Sequence, residues 1–154
     1  DKSETALELI REGNVLISDD RVDVIHIHNH ILGHAPDIIK GLLEIRGIGI
    51  IDVEKMFGAM AISDSADVDL VIKPFEADAD YNRLGDETMR YTRILNVLVP
   101  TLVLPVSAGR NTAALIESAV SNFRLSEAGF NSADEIRERF KDFMVAANER
   151  EGKA

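Results

Sequence analysis

The residues of this chain that could do chemistry fall in a few short stretches. Lys2 and Ser3 open "KSETALELI", a run of helix-forming residues in which Ala6, Leu7 and Ile10 are spaced to make one apolar face. A lysine–serine pair at a helix start is what a phosphate-binding loop leaves at its end, G-x-x-x-x-G-K-[ST] followed by helix. It is equally an ordinary exposed helix start, and Asp1 stands where the last glycine of such a loop would be. Asp19 and Asp20 follow the apolar run "VLIS". Adjacent carboxylates at the C-terminal end of a strand, where open α/β sheets carry their sites, can hold magnesium and accept a proton from an incoming hydroxyl. A turn with two solvated aspartates is the plainer alternative. Glu44 and Arg46 lie in "EIRGIG", Arg83 in "NRLG" and Arg110 in "AGRN". Glycine beside arginine lets the backbone approach a ligand while the guanidinium forks onto phosphate oxygens. Each arginine alone reads as a surface residue; all three, with the lysine–serine pair and the aspartates, make a coherent phosphoryl-transfer set.

Positioning these groups requires alternating helices and strands, and the chain alternates with no internal repeat. Gly13 is a natural stop for the first helix. "VLIS" reads as a short buried strand ending at Asp19 and Asp20. "RVDVIHI" alternates as a second strand, with "HNH" as the turn into "ILG". "PDIIKGLLE" reads as a short helical stretch whose proline suits a first turn. "IRGIGIIDV" is too rich in glycine and β-branched residues for a helix and reads as loop and strand. "DVDLVIKPF" is a strand, and "RILNVLVPTLVLPV" reads as two strands broken at Pro100, an edge or bulge signal. Asn111 can cap the helix "TAALIESAVSNFRL". Ser132 and Glu135 form a capping box for a last helix with Ile136, Phe140 and Phe143 inward; Phe140, Phe143 and Met144 read as core packing. With no linker-like stretch, residues 1–154 read as a single α/β domain, a central sheet with helices packed on it.

Composition narrows the function classes. A chain of 154 residues, 45% of them apolar, can bury a real core, and no apolar run is long enough to span a bilayer. The net charge of −10 argues against nucleic acid, which needs a basic face. The absence of cysteine excludes disulfide and thiolate chemistry, and with no signal-like N-terminus a cytoplasmic location is expected. The row "HIHNHILGH" supplies His26, His28, His30 and His34. In one strand the first three would point the same way and could bind zinc or nickel; a solvent-exposed hairpin tip is the simpler account.

The stretches "KSETALELI", "SDDRVDV", "LLEIRGIGIIDVEKMFGA", "NRLG" and "GRNTAALIESAVSNFR" resemble, in order and spacing, the catalytic domain of HPr kinase/phosphorylase. "EIRGIGIID" is the most specific of them. The resemblance implies a P-loop-containing core shared with phosphoenolpyruvate carboxykinase, a mixed central sheet flanked by helices, and a homohexamer. It implies a bacterial enzyme that uses ATP and Mg2+ to phosphorylate a serine of HPr, the phosphocarrier of the sugar phosphotransferase system. It also implies the reverse step, phosphorolysis with inorganic phosphate. A non-catalytic relative serving as a binding or regulatory module, and a kinase of another serine substrate, are the alternatives.

Position by position, the resemblance implies that Lys2 contacts the β/γ-phosphates, Ser3 binds magnesium and Glu44 is the second metal ligand. Asp20 is the implied general base, and the acid in reverse, with Asp19 beside it favouring the protonated form. Arg83 would steady charge on the transferring phosphoryl group, with Arg46 and Arg110 as further phosphate contacts. Pro105, Val106, Ser107, Ala108, Gly109 and Arg110 fall on the segment used in the reverse reaction. The family has a strand, a glycine-rich loop and a histidine ahead of the position of Lys2, so the sequence is expected to begin inside the P-loop. Ser107 stands where lysine or arginine is common in the family, and Met60 replaces a glycine usual after "FGA".

Overall fold

The structure is a computed structural model that describes residues 2–76, 90–107, 109 and 111–152. Helix α1 spans Lys2–Arg11, burying Ser3 and Ile10, with Ala6 and Leu7 packed against the core. It ends as its glycine dictates. Gly13 adopts φ +97°, the Asn14 N–H donates to the Leu9 carbonyl and the Gly13 N–H to that of Ile10, both at 3.0 Å. "VLIS" is not a strand. Leu16 is buried, as its apolar run requires, but makes only a single parallel bridge to Ile62. An apolar run specifies burial; whether it forms a ladder depends on a partner from elsewhere in the chain.

Strands β1 (Asp23–Ile27) and β2 (His30–His34) form the hairpin read from the sequence, and β5 (Ser65–Asp67) extends it in the order β1-β2-β5. The reversal falls at His28, φ +55°, and Asn29. His26, His28 and His30 therefore do not share one strand, and the aligned row of imidazoles is not formed. Among the described residues no group of three His, Asp or Glu side chains lies where it could hold a metal.

"PDIIKGLLE" is not a helix beyond one 3-10 turn at Asp37–Ile39. Gly41 turns the chain at φ +74°, and Leu42–Ile45 becomes β3, antiparallel to β4 (Gly49–Asp52). Alternation in β3 sends Leu43 and Ile45 into the core and leaves Glu44 exposed. A short helix that the glycine-rich pattern concealed, α2 (Val53–Phe57), follows immediately. Asp52 caps it by accepting the Lys55 N–H at 3.0 Å. Leu43 and Val53, both 0% exposed, join Ile10, Leu16 and Ile45 in one buried cluster.

Strands β6 (Val71–Glu76), β7 (Arg90–Ile94) and β8 (Val97–Val106) form a mixed sheet in the order β6-β8-β7, parallel on one side of β8 and antiparallel on the other. The chain does not break at Pro100. It reverses at Leu95 and Asn96, both at positive φ as a two-residue type I′ hairpin turn requires. Pro100 is tolerated inside β8 because pairing with β6 begins only at Thr101, so at Pro100 the strand has β7 alone as neighbour. Pro105 is paired with β6 alone.

The chain divides into two compact units, residues 1–117 and 118–154. Helix α3 spans Thr112–Glu127, and Asn111 caps it by accepting the Ala114 N–H at 3.1 Å. Helix α4 spans Ser132–Glu151, but its cap is Asn131, whose side chain accepts the Ala133 and Asp134 N–H groups. Ser132 is the first helical residue, so the cap falls one position ahead of the one expected. Ile136, Phe140, Phe143 and Met144 are not core residues in this structure: they are 67%, 63%, 68% and 46% exposed. Helical spacing gathers apolar side chains on one stripe without supplying anything to cover it.

Candidate active site

Two pairs of sequence neighbours build the site, and each pair divides its labour. Ser3 and Asp19 face the protein, whereas Lys2 and Asp20 face a cavity. The Ser3 hydroxyl, at the first turn of α1, donates to the Asp19 carboxylate at 3.1 and 3.3 Å. The Glu44 N–H on β3 donates to the same carboxylate at 3.2 Å. One carboxylate thus ties together the helix start, the bend after Leu16 and the strand that carries Glu44. Ser3 is only 8% exposed, so its hydroxyl depends on partners inside the protein.

Lys2 and Asp20 line a cavity of about 640 Å3, within the usual size of small-ligand pockets. Thr5, Ala6 and Leu9 continue the Lys2 face of α1 along it at helical spacing. Pro74 of β6, Val106 of β8 and Thr112 of α3 contribute to the other walls, all within the first unit. Most of the lining is apolar, with the ammonium and the carboxylate as its charged groups among the described residues. A low-dielectric wall strengthens whatever those charges do to a bound anion or an acidic proton.

The donor set suits magnesium. Ser3 and Glu44 carry the hard oxygen groups that magnesium prefers, and both meet Asp19, Ser3 through its hydroxyl and Glu44 through its backbone N–H. Magnesium is commonly held by one or two protein ligands together with substrate phosphates, so no dedicated cage of carboxylates is required.

Other expected residues are less closely placed. Arg46 lies on the exposed turn of the β3–β4 hairpin and is not among the described residues lining the cavity. In the segment assigned to the reverse reaction, Pro105 and Val106 end β8, Ser107 follows exposed, and Gly109 adopts φ +83°. Of these only Val106 is among the described lining residues. Arg83, Ala108 and Arg110 lie outside the described residues. Sequence reasoning missed the apolar lining from β6, β8 and α3, which reads as ordinary core. The face Lys2, Thr5, Ala6 and Leu9 was the available signal, a helical stripe that shares Ala6 with the one that buries Ile10.

The chain matches the family model of the HPr serine kinase C-terminal domain over residues 1–140. It is 43% identical over 150 residues to the HPr kinase/phosphorylase of Caldicellulosiruptor bescii, covering 96% of this chain and 48% of that protein. It is 45% identical over 154 residues to that of Lactobacillus delbrueckii subsp. bulgaricus, covering 97% and 48%. The chain therefore spans about half the length of these relatives. Its fold is similar to the solved structure of the HPr(Ser) kinase/phosphatase from Coxiella burnetii, with a TM-score of 0.75 and 35% identity over 89% of this chain and 84% of that one. With its mixed α/β fold and its lysine–serine and aspartate pairs so arranged, the chain belongs to the HPr serine kinase C-terminal domain family.

Proposed function

We propose that the chain is the catalytic part of a bifunctional serine kinase/phosphorylase that transfers the γ-phosphoryl group of ATP to a serine of HPr and removes it again with inorganic phosphate. The observation that carries this reading is that Lys2 and Asp20 line one cavity while Ser3 and Asp19, their neighbours, are bound to each other. In the forward direction the Asp20 carboxylate takes the seryl proton as the serine oxygen bonds to the γ-phosphorus and the bond to ADP breaks. Lys2 offsets negative charge on the β/γ-phosphates, and Arg83 is assigned the same task on the transferring group. Ser3 and Glu44 would hold Mg2+, which when bound neutralises phosphate charge. Asp19 fixes the two residues that do so, one through its hydroxyl and one through its backbone.

In reverse, phosphate oxygen bonds to the phosphoserine phosphorus, the serine oxygen leaves with a proton from Asp20, and the balance requires pyrophosphate as product. Residues 105–110 are assigned to phosphate in this direction, and Arg46 to phosphate in either. A cytoplasmic homohexamer acting in the control of sugar uptake completes the proposal; among the described residues no helix is long and apolar enough to cross a membrane. The test is phosphoryl transfer from ATP to HPr in the protein that carries this chain. Asp20→Asn should lower kcat about 10²–10⁴-fold, the usual contribution of a general base, with ATP affinity within a few-fold of the parent. Near-normal transfer would remove Asp20 from the role.

A further inference from the structure

We propose that Ser18 is a positioning residue for Asp20, its hydroxyl holding the backbone turn that presents the carboxylate to the cavity. The Arg21 N–H donates to the Asp19 carbonyl at 2.5 Å, which closes a three-residue turn centred on Asp20. Asp20 itself sits at φ +55°. A γ-turn with positive φ at its centre is the rare and strained form. A side chain larger than glycine remains there only where its surroundings over-determine the conformation.

The surroundings name the restraint. On the upstream side the Asp19 carboxylate is held by the Ser3 hydroxyl and the Glu44 N–H. On the downstream side the Ser18 hydroxyl donates across the turn to the Arg21 carbonyl at 2.5 Å, with the Asp19 carbonyl 3.3 Å away. Ser18 thereby spans the three residues of the turn and fixes its far end. The other contact of Arg21, its Nε with Asp23 Oδ1 at 2.9 Å, is an ion pair whose guanidinium side chain is 73% exposed. Water and salt screen such a pair, so it contributes little to fixing the backbone. Without the hydroxyl, Asp20 can relax toward negative φ, and its carboxylate swings relative to Lys2 across the cavity.

The inference rests on Asp20 being the base, and the experiment separates the two claims. In the protein that carries this chain, Ser18→Ala should lower kcat for transfer to HPr about threefold to tenfold, the range spanned by one lost hydrogen bond, with KM for ATP unchanged. The Arg21 amide should exchange with solvent deuterium faster by a similar factor. Ser18→Thr keeps the hydroxyl and should restore both. A urea-unfolding midpoint equal to the parent's in the alanine variant shows that the same fraction of protein is folded, so a kcat loss is not a loss of active enzyme. Parental kcat in Ser18→Ala, or unchanged exchange at Arg21, overturns the positioning role. An inactive Asp20→Asn beside a fully active Ser18→Ala overturns it alone; an active Asp20→Asn overturns the base assignment and this inference with it.

Discussion

The Ser3 hydroxyl and the Asp19 carboxylate, sixteen residues apart in sequence, are joined by contacts of 3.1 and 3.3 Å, and the Glu44 N–H meets the same carboxylate at 3.2 Å. Asp19 is therefore a structural member of the site, beyond being a second charge beside Asp20. Asp19→Ala removes the acceptor from both donors and should destabilise the protein by about 1–3 kcal/mol in urea unfolding. Asp19→Asn, whose amide oxygen still accepts, should lose less. Equal stability of the alanine variant and the parent would contradict the tie.

Lys2 lines the cavity from the first residue of α1, beside its N-terminal turn. Lys2→Met keeps the length of the side chain and removes its charge. ATP affinity measured by titration calorimetry should fall roughly 10–100-fold, the worth of a hydrogen bond to a charged group. An unchanged dissociation constant would place the phosphates elsewhere.

Ser107 is exposed just beyond β8, and the resemblance implies a lysine or arginine at this position in other members of the family. If that cation assists inorganic phosphate, Ser107→Lys should raise phosphorolysis of phospho-HPr more than it changes phosphorylation. Equal effects on the two rates would assign the position no preference for direction.

Helix α4 offers a test that needs no substrate. Asn131→Ala deletes the acceptor for two N–H groups and should cost about 1 kcal/mol, read as faster amide exchange at Ala133 and Asp134. Ser132→Ala, at a helical position, should leave that exchange close to the parent's. The reverse ranking would restore the capping box at Ser132 and Glu135.

Local chemistry decided what the sequence made legible. Helix α1, its glycine stop, the β1–β2 hairpin and the Asn111 cap follow from residue spacing and capping groups that act within a few positions. The residues proposed to handle phosphate, metal and a proton stood out only as a set, because lysine, serine and aspartate singly are also ordinary surface and turn residues. What failed locally failed for a common reason. Leu16 needed a ladder partner that the fold supplies only at one residue, and Pro100 was allowed inside β8 by where β6 begins to pair. Phe140 and Phe143 have the spacing of a buried face, but burial needs a second surface.

By itself the sequence determined the inventory: two pairs of polar neighbours, the helix that carries the first of them and the family they point to. Tertiary structure alone decided which member of each pair lines the cavity and which is bonded to its counterpart in the other pair. A hydrogen bond between Ser3 and Asp19 requires α1 and the bend after Leu16 to be brought together by the cluster of Ile10, Leu16, Leu43, Ile45 and Val53. That packing turns Lys2 and Asp20 toward a common cavity, and the positive φ of Asp20 depends on a hydroxyl across the turn. Such placements arise from contacts between segments distant in sequence, whose free energy is shared among many side chains and written in no single stretch.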